Sequence, residues 1–188
     1  MNKDLKWLVE RRSVRVFKPL SVPDELLKEV LDAASYAPTA RGTQAWHATA
    51  VIGLDRISEF TLKLREAVQK PGFDLYKEVV SNKAYSVNFG TAPVFVIVGA
   101  HRKDSYWPVE DGALVLGYLL LAAHVVGLGG CWINQVASAA DEPDFRSYLT
   151  SLGFPHDYRV IGSACLGFPE RDLPKPPARK PGLYNIVT

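Results

Sequence analysis

Residues 112–133, GALVLGYLLLAAHVVGLGGCWI, run for 22 residues without an acid, a lysine or an arginine. A stretch this long and apolar either spans a bilayer or is buried around most of its circumference. The flanks argue against a span. Glu110 and Asp111 precede it, and Asp141, Glu142 and Asp144 follow. No Lys or Arg occurs between Lys103 and Arg146, so neither end carries a positive anchor. Gly127, Gly129 and Gly130 crowd its end. The reading is a helix over about 109–126, buried in a large core or a subunit interface. Gly127 ends it, and a strand starts at Cys131-Trp132-Ile133.

Shorter patterns divide the rest of the chain. Leu5, Leu8 and Val9 give a short amphipathic helix ending near Arg11. Ser21 reads as the N-cap of a second, with Pro23 in its first turn and Asp24 at the third position. Leu27, Val30, Leu31 and Ala34 carry that helix, and Pro38 stops it. HATAVIG (47–53) reads as a strand. Ile57, Phe60, Leu64 and Val68 mark a helix ended by Pro71-Gly72. Residues 73–91 carry Phe73, Tyr76, Tyr85 and Phe89 with no period that assigns them. PVFVIVGA (93–100) has the near-continuous apolar character of a strand buried on both faces. Phe145, Tyr148, Leu149 and Leu152 give a last helix, closed by Gly153, and YRVIGSACLGF (158–168) the last core strand. From Pro169 the chain is rich in Pro, Lys and Arg and reads as an extended arm. Helices and strands interleaved along 188 residues predict a single α+β domain, 1–188, around a central sheet.

Several chemistries are excluded. A formal net charge of +2 leaves no concentrated basic face for nucleic acid. No charged region followed by an apolar run opens the chain, so no signal peptide is expected. Cys131 and Cys165 form no CxxC, which points to reduced thiols in a cytoplasm. GSACLG (162–167) is not GxSxG. His47, His101, His124 and His156 lack metal-ligand spacing, and His124 reads as a satisfied core histidine. No P-loop occurs, and GLGGCW fails GxGxxG because Trp132 stands where the last glycine belongs.

RRSVR at 11–15 sets Arg11, Arg12, Ser13 and Arg15 within five residues. Guanidinium forks and a hydroxyl suit a phosphate monoester, which they can hold by paired charged hydrogen bonds. By itself the segment reads equally as a solvated helix end favoured by the macrodipole. The loop Pro38-Thr39-Ala40-Arg41-Gly42-Thr43-Gln44 reads by itself as an ordinary helix-to-strand connection.

Taken together, RRSVR, APTARGTQAWH (37–47), GLGGCWIN (127–134) and ACLGFPE (164–170) resemble the FMN-dependent nitroreductase family. The resemblance implies that Arg11, Arg12, Ser13 and Arg15 grip the flavin phosphate and ribityl chain, helped by Arg179 and Lys180 of PPARKP. It implies that Pro38, Thr39, Gly42 and Gln44 border the flavin ring, and that Ile133 and Asn134 approach its N5 edge. This chain departs from the family pattern at Gly42 (often Asn), Ala45 (Pro), Asn134 (Gly) and Arg41 (a small residue). The fold implied is a central mixed sheet flanked by helices, with an extended C-terminal arm. The assembly implied is a homodimer with flavin at the interface, the 37–44 loop reaching the other subunit's flavin. FMN is the implied cofactor and NADH or NADPH the co-substrate. Electrons pass in a ping-pong cycle to a small-molecule acceptor: a nitro-compound, a quinone or a flavin. The cofactor carries the chemistry, so no catalytic side chain and no metal is expected. The alternative is a non-catalytic flavin- or nucleotide-binding dimer, a sensor or store. Neither nucleic acid nor membrane is an expected partner.

Overall fold

Strand β2 (Val94–His101) is buried along all but its last residue. Val94, Val96 and Val98 enter one apolar cluster, and Phe95 and Ile97 enter a second on the opposite face. A strand with no wet face needs helices on both sides, and the chain supplies them. A computed structural model describes residues 2–70, 72 and 91–188. Phe73, Tyr76, Tyr85 and Phe89 lie outside the described residues.

Helix α1 (Lys6–Glu10) follows a 3-10 turn, and α2 (Asp24–Ala34) comes next. Then come β1 (Trp46–Ile52), α3 (Leu54–Val68), β2 and α4 (Pro108–Val125). The chain continues with β3 (Gly129–Ile133), α5 (Gln135–Ala139), α6 (Pro143–Ser151) and β4 (Tyr158–Gly167). Ile57, Phe60 and Leu64 of α3 and Phe145 and Leu149 of α6 cover one face of the sheet. Leu27 and Val30 of α2 and Val115, Leu116 and Leu119 of α4 cover the other.

The sheet order is β1-β2-β4-β3. All three pairings are antiparallel. The α+β class is as expected. Parallel pairing, expected of a mixed sheet, enters among the described residues only as the single bridge between Ser13 and Gly130. One local expectation is corrected. Helix α2 starts at Asp24, with Pro23 as N-cap at φ −57° and ψ 141°, so Ser21 lies outside it. Pro23 is fixed at a φ that suits this extended position, and Asp24 and Glu25 meet the positive end of the helix. Helix α5 was not expected. At five residues it is too short to show a period, yet it buries Val136 and Ala139.

Beyond its acidic first turn, helix α4 is half core and half surface. Val115, Leu116, Leu119 and Ala123 are buried, whereas Leu114, Tyr118 and Val125 are exposed. Beyond Pro174 the C-terminal arm is exposed, including Leu183, Tyr184, Ile186 and Val187.

Helix α4 lies so close to β4 that a Cβ built on Gly112 would stand 2.6 Å from Ile161 Cγ1. Alanine normally gains about 1 kcal/mol over glycine inside a helix. Here overpacking costs about 1–3 kcal/mol, so Gly112→Ala is expected to lower the urea midpoint of unfolding. A raised midpoint would contradict the close packing of α4 on β4.

Candidate flavin site

The basic segment is placed by backbone bonds to the sheet edge. Arg11 N–H donates to Trp7 O at 3.2 Å, closing α1. The chain then extends: Val14 N–H donates to Gly130 O at 3.0 Å and Lys18 N–H to Phe168 O at 2.8 Å. Glu170 N–H returns a bond to Val16 O at 3.2 Å. Extended backbone alternates its side chains. Val14 and Phe17 point into the core, and Ser13 and Arg15 are exposed. The close approach requires glycine, since a Cβ on Gly129 would meet Val14 Cγ2 at 2.6 Å.

Arg12 has a different task. Its guanidinium donates to the carbonyls of Val9 and Glu10, capping the end of α1. Arg12, Ser13 and Arg15 line one wall of a hollow of about 310 Å³, with Glu170, Arg171 and Asp172 opposite. Glu170 is 3.7 Å from Arg171 Nε, so part of the acidic charge there is offset within the wall. The donors facing the hollow, guanidinium and hydroxyl, suit an anionic oxygen group.

Ile133 lies three residues along β3 from Gly130, about 10 Å at the usual strand rise. Its carbonyl accepts Ser163 Oγ–H at 2.7 Å. Asn134 follows as the exposed N-cap of α5. The basic segment and Ile133–Asn134 therefore share one edge of the sheet.

The 37–44 loop is at the other edge, where it leads into β1. Arg41, Gly42 and Gln44 have φ of 56°, 64° and 50°. Glycine and asparagine are the residues that best tolerate this left-handed region, so Gly42 keeps the turn where the family often has Asn. Gln44 N–H donates to Thr39 Oγ1 at 3.0 Å. Pro38 and Gln44 are exposed. The anchor is Asp111, which is only 3% exposed. Its Oδ1 accepts Ala40 N–H at 2.8 Å, and its Oδ2 accepts Ser105 Oγ–H at 2.8 Å. The sequence marks Asp111 only as an acid flanking an apolar run, because its partner Ala40 is 71 positions away.

One chain thus brings Arg11, Ser13, Arg15, Ile133 and Asn134 to one edge, and Pro38, Thr39, Gly42 and Gln44 to the opposite one. Strands β2 and β4 stand between. Arg179 and Lys180 are in the exposed arm, and Arg179 makes no hydrogen bond or ion pair among the described residues. The same residues contain no group of three or more His, Cys, Asp or Glu placed to hold a metal ion.

The model of the Nitroreductase family matches residues 8–168. The chain belongs to the nitroreductase family. A nitroreductase with bound FMN from Bacteroides fragilis is 33% identical, with a TM-score of 0.90 and complete coverage of both chains. The NADPH-flavin oxidoreductase of Vibrio harveyi is 25% identical over 186 residues, covering 97% of this chain and 71% of that protein. The iodotyrosine deiodinase of Haliscomenobacter hydrossis is 29% identical over 144 residues, covering 65% of this chain and 63% of that protein.

Two titratable groups of this nitroreductase-family chain lie near the basic segment. Cys165, the cross-strand partner of Cys131, has its thiol pushed up to about 12, chiefly by burial and then by Cys131. Its thiol is inert at neutral pH. His124 is half-buried rather than in the core. Burial, then the charge of Arg11, holds its imidazole below the usual value. Its folded pKa therefore lies below the unfolded value of about 6.5, and the unfolded chain binds the proton more readily. That contribution is intact above about 6.5 and is lost as pH falls from there through the lower folded value. His47, lowered by burial, acts in the same direction. His124→Gln is expected to flatten the decline in Tm between about pH 7.5 and 5.5. An unchanged slope in calorimetry would count against this account.

Proposed function

We propose that the protein is an FMN-dependent oxidoreductase. It passes electrons from NADH or NADPH to a small electrophilic acceptor, a nitro-compound, quinone or flavin, by a ping-pong cycle. The observation that carries this reading is the outward pair Ser13 and Arg15. The Val14–Gly130 bond fixes them at the edge that β3 continues toward Ile133 and Asn134. Membership of the nitroreductase family supports it, as does likeness to an FMN-bound nitroreductase. When bound, FMN supplies hydride acceptance at N5 and return of the electrons to the acceptor.

The chain's own residues bind and orient. Arg11, Ser13 and Arg15 hold the phosphate, with Arg179 and Lys180 reaching it from the arm. Ile133 and Asn134 border the ring. Pro38, Thr39, Gly42 and Gln44 border the flavin of a second copy. Arg12 stays on the carbonyls of α1.

Purified protein loaded with FMN is expected to be bleached by NADH or NADPH under argon and to recover its colour with an acceptor. Arg15→Ala is expected to weaken FMN binding by about 1.5–3 kcal/mol, the scale of a lost charged hydrogen bond. Arg12→Ala should lower helix stability and leave most of the FMN affinity. Equal FMN affinity in wild type, Arg11→Ala and Arg15→Ala would remove the phosphate grip. Tight FMN binding without bleaching would favour the second reading, a flavin-binding sensor or store, to which Asn134 at the ring edge lends support.

The working form proposed is a cytoplasmic homodimer. Two buried, unpaired cysteines suit a reducing compartment. Trp7, Leu8, Tyr36, Tyr118 and Val125 border an apolar hollow of about 720 Å³ on the outer side of α4. A second copy would cover that face and bring the 37–44 loop to the opposite edge. Light scattering of the flavin-loaded protein at low micromolar concentration is expected to give twice the mass of the 20.8 kDa chain. A monomer would overturn the assembly.

A further inference from the structure

Arg41 sits in the 37–44 loop yet is not among the residues that the family resemblance assigns to the flavin. Its backbone is left-handed, at φ 56° and ψ 19°. This conformation costs an arginine and would cost a glycine little. Its guanidinium lies over the Tyr106 ring, 4.6 Å from the centroid. Nη1 is 3.5 Å from the Tyr106 hydroxyl, too long for a strong bond.

No carboxylate among the described residues pairs with Arg41. Two nearby acids are engaged elsewhere. Asp111 spends both oxygens on Ala40 and Ser105, and Asp104 is 3.1 Å from His101 Nδ1. Among the described residues Arg41 therefore has no counter-ion, and it lies on an aromatic platform. Tyr106 is 56% exposed, and Trp107, beside it in the chain, is 62% exposed.

We propose that Arg41, held over Tyr106, selects acceptors that carry a carboxylate on an aromatic ring. The inference rests on the oxidoreductase reading above. A guanidinium stacked on a ring keeps its N–H edge free, and that edge matches a carboxylate bidentately. The exposed Trp107 ring beside them offers the acceptor's ring a stacking surface. For a nitroaromatic acceptor, the two-electron step is ArNO2 + NADH + H+ → ArNO + NAD+ + H2O. The nitro group loses one oxygen as water, and NADH is oxidised.

The test compares 4-nitrobenzoate with its neutral counterpart 4-nitrobenzamide, by titration calorimetry on the oxidised, FMN-loaded protein and by kcat/KM with NADH. Wild type is expected to prefer the carboxylate. Arg41→Gln is expected to cut the benzoate-to-benzamide affinity ratio about fivefold, the upper range for an exposed ion pair. Arg41→Lys, which keeps the charge, should retain part of the preference, and added salt should erode it in wild type. No preference in wild type, or a ratio in Arg41→Gln within about twofold of wild type, would overturn the proposal. If NADH and NADPH fail to reduce the protein, the oxidoreductase reading fails. The calorimetric ratio then still decides whether Arg41 recognises the carboxylate.

Discussion

Strand β2 has no side that faces water, and much of the molecule follows from that. Its valines need a helix layer on one face, and Phe95 and Ile97 need another on the opposite face. The valine face is covered by α2 and α4, and α4 approaches β4 closely enough to require glycine at 112. That approach carries the neighbouring Asp111 into the interior. A buried carboxylate without donors would cost several kcal/mol. Asp111 meets this by taking the N–H of Ala40 and the hydroxyl of Ser105. The 37–44 loop is thus tied to the core through one desolvated side chain, although its own residues are mostly exposed. A loop with three left-handed residues within four positions keeps its shape only when something outside it imposes that shape. Here the imposing group is Asp111.

The opposite edge of the sheet works by the same means with different residues. Strand β3 opens with Gly129 and Gly130, and neither has room for a side chain. Val14 occupies the space beside the first, and Leu120 and Leu166 the space beside the second. Small residues here let an extended segment lie flat against the strand, and the alternation of that segment does the rest. Val14 turns inward and Ser13 and Arg15 outward, so burial of one valine orients the two polar neighbours. Arg12 breaks the pattern because the end of α1 offers it carbonyls at closer range. Of the polar residues in the cluster, Arg12 thus spends part of its guanidinium on a helix end while still lining the hollow beside Ser13 and Arg15.

The sequence makes some of this plain and hides the rest for identifiable reasons. The spacing of Ile57, Phe60, Leu64 and Val68 places α3, and each of these side chains is buried. PVFVIVGA reads as a doubly covered strand, and it is one. These segments are long and their periods strong. Ser21 and Pro23 read as an N-cap with a first-turn proline, but the extended backbone at Pro23 makes the proline itself the N-cap and starts α2 at Asp24. Strand direction is absent from local pattern altogether, which is why a mixed sheet could be expected where the strands pair antiparallel. The family is legible in four short motifs whose order along the chain matters more than any one of them. What those motifs do not reveal is Asp111, an acid that looks like a flank, or Arg12, a cation whose partners are its own backbone.

The two edges bear on each other through α4. Its inner face is required by the core, but its outer face repeats the same apolar chemistry and stays exposed among the described residues. Exposed apolar surface of this extent marks an interaction site more often than an accident. Under the dimeric reading, the uncovered face and the divided site are one problem with one solution. Sequestering Leu114, Tyr118 and Val125 against a second copy supplies the driving force, and the same contact carries each anchored 37–44 loop toward the other's basic edge. A single domain could have closed its own site by folding the loop across the sheet. The bond from Ala40 to Asp111 holds the loop at its own edge instead.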